Sequence, residues 1–68
     1  MSGVFPLLVD EAIKRSDCLQ SVYSNAIKLW FDQKGRLDVG FTNKQMVEWI
    51  KRERPGIFDE KGRKVRND

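Results

Sequence analysis

The sequence predicts a mainly α-helical mini-domain of three helices closed by a small C-terminal β-hairpin. Three observations carry that expectation. Apolar residues recur in steps of three and four from Leu19 to Phe31, the mark of an amphipathic helix. Thr42 is followed three residues later by Gln45, which spells a helix start. The stretch FDEKGR at 58–63 sets a Lys-Gly corner between residues of opposite charge, as a hairpin turn would.

The 68 residues make one domain, 1–68, near the lower limit for folding without staples. A 40% hydrophobic content with seven aromatics suffices for one core and argues against disorder. Phe5, Tyr23, Trp30, Phe31, Phe41, Trp49 and Phe58 are the expected bulk of that core.

The first helix is expected over about 6–15. Pro6 suits a first turn, and Leu8, Val9, Ala12 and Ile13 form one apolar stripe. The second is expected over about 18–34. Asp17 and Gln20 have the form of a capping box before it, and Leu19, Val22, Tyr23, Ala26, Ile27 and Trp30 supply its stripe. Gly35 should end it in the left-handed conformation. Residues 37–41, LDVGF, alternate with period two and predict a short strand. A third helix is expected over about 43–53, ending before Pro55-Gly56. The hairpin is expected over about 57–66. A two-residue Lys61-Gly62 turn would set Glu60 opposite Arg63, Asp59 opposite Lys64 and Phe58 opposite Val65.

FDQKGR at 31–36 nearly repeats FDEKGR. The flanking echoes EAIKR at 11–15 and EWIKR at 48–52 lie at unequal distances from the two phrases. The register differs, so a duplication is not the reading. One phrase should close a helix and the other should turn a hairpin.

The chain carries a net charge of +3. Residues 1–43 hold five Lys/Arg and five Asp/Glu, whereas residues 44–68 hold eight and five. The whole excess therefore falls in the last 25 residues, as expected of a surface that meets phosphates.

Catalytic chemistry finds little to use. There is no histidine, the commonest general base and metal ligand. One cysteine, Cys18, gives neither a disulfide nor a zinc set. No glycine-rich phosphate loop occurs. The expectation is a protein that is not an enzyme and needs no cofactor or metal.

The order of helices, capped helix and basic hairpin resembles the outline of a winged helix-turn-helix, with room for one helix fewer. That outline implies a small DNA-binding or DNA-associated regulatory factor. Its expected phosphate contacts are Lys44, Lys51 and Arg52 on the third helix, Arg54 at its end, and Lys61, Arg63, Lys64 and Arg66 on the hairpin. Lys34 and Arg36 would add a contact from the first Lys-Gly-Arg corner. The alternative is an interaction module, an adaptor or inhibitor, docking on a larger protein or a second copy through Leu29, Trp30, Phe31 and Trp49. No membrane partner is expected, because no apolar run approaches the ~20 residues that span a bilayer. The lone cysteine and the absence of a basic leader fit a cytoplasmic protein, or a nuclear one in a eukaryote.

Overall fold

The computed structural model describes residues 4–36 and 38–66. It is mainly helical, with α1 over Val4–Lys14, α2 over Leu19–Lys34 and α3 over Asn43–Glu53. No helix is long and apolar enough to cross a membrane among the described residues.

Pro6 sits in the first turn of α1, where its missing N–H breaks no helical bond. The apolar stripe then turns Phe5, Leu8, Val9, Ala12 and Ile13 inward. Lys14 and Arg15 stand at the negative end of α1. A second device closes that end. The Lys64 ammonium donates to the Ile13 carbonyl at 2.9 Å, across 51 residues of sequence.

The start of α2 differs from the expected capping box. Cys18, not Asp17, is the N-cap, and no side chain caps it. The C-terminal loop takes that role instead, because the Leu19 N–H donates to the Gly62 carbonyl at 2.7 Å. At the other end Gly35 adopts φ 71° and donates its N–H to the Phe31 carbonyl. That is the left-handed closure that glycine permits.

At α3, Thr42 Oγ1 accepts from the Gln45 N–H, and Gln45 Oε1 accepts from the Thr42 N–H, at 3.1 and 2.9 Å. Both halves of the capping box are present. Met46, Trp49 and Ile50 form its buried face.

The helices run up, down and up. Phe5 of α1 meets Trp49 of α3, with ring centroids 5.5 Å apart. Five residues further along each chain Asp10 meets Arg54, so α1 and α3 advance together. The Asn25 amide reaches back to the Arg15 carbonyl and to Ser16, and Trp30 lies against Val4 and Leu8. Hence α2 runs opposite to α1. Edge-to-face rings tie the start of α1 and the approach to α3 onto α2. Phe5 packs on Phe41 at 4.7 Å, Phe41 on Tyr23 at 5.8 Å, and the Tyr23 hydroxyl donates to the Phe41 carbonyl. Ile57 completes the core from the C-terminal segment.

Two predicted elements are absent among the described residues. No strand forms at 38–41, and Leu37 lies outside the described residues. Gly40 takes φ 76°, which breaks the extended path. Phe41 spends its carbonyl on Tyr23 rather than on a ladder.

The C-terminal hairpin is not supported either, since among the described residues there is no sheet and only isolated antiparallel bridges, Phe58 with Lys64 and Cys18 with Arg63. The cause is Asp59. Its carboxylate accepts from the Lys61 and Arg63 backbone N–H groups at 2.9 and 2.8 Å, and its carbonyl accepts from the Gly62 N–H. The turn therefore starts at Asp59 instead of Glu60. Phe58 then faces Lys64 where the expected register put Val65. Lys64 N–H donates to the Asp17 carbonyl, so the loop is fastened to the α1–α2 turn instead of projecting as a wing.

Candidate nucleic-acid interface

The fastening of the 57–66 loop gathers three helix ends at one pole: the C-termini of α1 and α3 and the N-terminus of α2. This pole carries Lys14, Arg15, Lys51, Arg52, Arg54, Lys61, Arg63, Lys64 and Arg66 against Asp10, Glu11, Asp17, Glu53, Asp59 and Glu60. Nine cations against six anions leave an excess of three there, out of a net four over the described residues (13 Lys/Arg and nine Asp/Glu). The charge asymmetry along the sequence is thus an asymmetry in space.

Several cations named from the sequence have structural work at this pole. Arg54 forks onto Asp10, with Nε to Oδ1 and Nη2 to Oδ2 both 2.9 Å. Its guanidinium carbon lies 4.9 Å from the centre of the Trp49 ring. The Asp10 hydrogen bond raises its pKa further above an already high value. Arg54 therefore joins α3 to α1 and is not available as a phosphate contact without breaking that joint. Lys64 is likewise committed to the Ile13 carbonyl. Arg63 lies 3.5 Å from Asp59 and Arg52 lies 3.1 Å from Glu53. Those two side chains are mostly exposed, and such pairs hold weakly enough to be exchanged for a phosphate.

Lys51 and Lys61 are different. Both are exposed and make no ion pair among the described residues. They line one groove of about 430 Å³ with Leu19, Gln20, Phe58, Asp59, Glu60 and Gly62. The Asp59 carboxylate stays charged, with donors of its own loop offsetting that charge. The Arg63 and Lys61 backbone N–H groups, with the Arg63 guanidinium, hold its carboxyl below its ordinary value. Arg66 approaches Gly56. Lys44 is exposed on α3, seven residues before Lys51 and on the same stripe.

The two Lys-Gly-Arg corners do not share a face. Gly35 closes the C-terminus of α2, whereas the Gly62 carbonyl receives its N-terminus. Sixteen residues of helix separate them, about 24 Å at 1.5 Å per residue and well beyond the ~8 Å screening length of physiological salt. At the far corner Lys34 lies over the Trp30 ring and Arg36 pairs with Asp38. These two cations are separate from the basic pole.

The apolar candidates also divide. Leu29 and Trp49 are 8% and 7% exposed and belong to the core. Trp30 is half-buried, and its indole N–H is shut from solvent with no acceptor among the described residues. Phe31 was expected inside but is 48% exposed, because it stands opposite the Val22/Ala26/Leu29 face of α2. Leu7 is more exposed still, at 73%, and the sequence reading did not single it out.

Cys18 donates to Ser21 Oγ at 3.5 Å, and Ser21 lowers the thiol pKa from its ordinary 9.0. No cluster of three potential metal ligands occurs among the described residues. The chain matches no family model, and comparison with curated proteins and with solved structures finds no match.

Proposed function

We propose that this protein is a small DNA-associated factor that grips the phosphate backbone with its basic pole. The observation that carries the reading is the concentration of most of the described charge excess at that pole, with Lys51 and Lys61 beside one groove and without ion-pair partners among the described residues. Ammonium groups so placed replace condensed counterions along a nucleic acid, and that exchange drives backbone binding. Lys44 stands on the same stripe of α3 as Lys51, with Glu48 between them, and Arg52 and Arg63 exchange their exposed carboxylates for phosphates. The docked loop takes the place of a projecting wing.

Titration against duplex DNA at two salt concentrations tests this. The parent should bind more weakly at higher salt, and Lys51→Glu/Lys61→Glu should bind more weakly at both. The salt slope should fall by about one for each phosphate contact removed. Lys34→Glu/Arg36→Glu should bind like the parent, because that corner lies at the other end of α2. Absence of binding at low salt overturns the reading, as does equal sensitivity to both pairs of reversals. A second reading, an interaction module, draws support from Phe31 alone among the four predicted apolar residues.

A further inference from the structure

The outer face of α2 carries a small apolar patch with its own charge complement. Ile27 and Phe31 stand one helical turn apart. They line a shallow depression of about 320 Å³ with Lys28 and Asp32. Neither Lys28 nor Asp32 makes an ion pair among the described residues. Both lie on the same flank of the Ile27/Phe31 line, since residues one position further along a helix are displaced in the same sense. Ser24 precedes Ile27 on the stripe and is small enough for close approach.

From this arrangement we infer that α2 pairs with α2 of a second copy, antiparallel about a two-fold axis near residues 29–30. A two-fold exchanges i with j and j with i. Setting Ile27 against Phe31 of the other copy therefore also sets Lys28 against Asp32, twice. The patch is complementary to itself in shape class and in charge. The contact is small beside the ~800 Å² per partner of a standard interface. It is therefore a weak association, with a dissociation constant on the order of 0.1–1 mM for the isolated chain.

Sedimentation across a concentration series, without nucleic acid, tests the pairing independently of the DNA reading. The parent should rise in mean mass towards a dimer at millimolar concentration. Lys28→Asp and Asp32→Lys should each weaken association about tenfold, because each converts two attractions into two repulsions. The double exchange Lys28→Asp/Asp32→Lys should restore it. Phe31→Ser should abolish it while leaving the helical circular dichroism unchanged, since the side chain faces solvent. A strict monomer at 1 mM overturns the inference. So does a dimer indifferent to the single reversals, or one that the double exchange fails to restore.

Discussion

At the scale of single residues, Asp59 does more than its surface position suggests. One carboxylate oxygen holds two backbone N–H groups of the turn, while the other faces the Arg63 guanidinium. These bonds favour the charged form, so the carboxyl ionises below its ordinary range in the folded protein. The linkage has a definite sign. A depressed carboxylate pKa adds stability that is fully present above the unfolded value and disappears as pH falls through the folded one. Amide exchange at Lys61 and Arg63 should therefore accelerate below about pH 4, relative to core amides such as Val22. Asp59→Asn should show that fast exchange already at neutral pH, and its exchange protection should lose the acid dependence. Protection in the variant equal to that of the parent at pH 7 would remove Asp59 from the account of the loop.

At the scale of elements, the same logic of local bonds decides α3. Its mean hydropathy is low and its core face is only Met46, Trp49 and Ile50, so its start depends on the reciprocal Thr42 and Gln45 bonds. Thr42→Ala should cost about 1 kcal/mol in denaturant unfolding. Ser24→Ala, on the exposed face of α2, should change little. An equal effect of the two would show that the box adds nothing. Elements of this kind were legible in the sequence because their cause is local. Periodicity placed three helices, Gly35 stopped α2 by its own backbone freedom, and Thr42 and Gln45 lie in one turn. The C-terminal loop was not legible as built. A side-chain bond from Asp59 moved both the turn and the pairing by one residue, and a one-residue slip changes which side chains face each other. The structural roles of Arg54 and Lys64 were hidden for a different reason. Their partners, Asp10 and the Ile13 carbonyl, lie 44 and 51 residues away, and no local pattern announces them. Phe31 was misassigned to the core because a stripe widened by one residue loses its direction. Val22, Ala26 and Leu29 alone would have pointed it outward.

At the scale of the whole molecule, the two proposals have a joint geometric consequence. The basic pole surrounds the N-terminus of α2, and the inferred two-fold passes near residues 29–30. Leu19 lies about 10 residues from that axis, roughly 16 Å at 1.5 Å per residue, so the two poles of a pair stand about 32 Å apart. One turn of B-form DNA measures ~34–36 Å. Two chains paired through α2 can therefore place their poles on successive turns of one duplex face. Binding to a common duplex also raises the local concentration of one chain around the other towards millimolar, the range in which the α2 contact forms. A duplex of about 20 base pairs should then bind two chains cooperatively, whereas one of about 8 should bind a single chain more weakly. Phe31→Ser adds no charge and lies away from the pole, so it should leave the short duplex unaffected and remove cooperativity on the long one. Lys51→Glu/Lys61→Glu should weaken both duplexes alike. Cooperativity that survives Phe31→Ser would separate DNA binding from α2 pairing. Loss of binding to the short duplex in that variant would mean instead that Phe31, and not the basic pole alone, touches the nucleic acid.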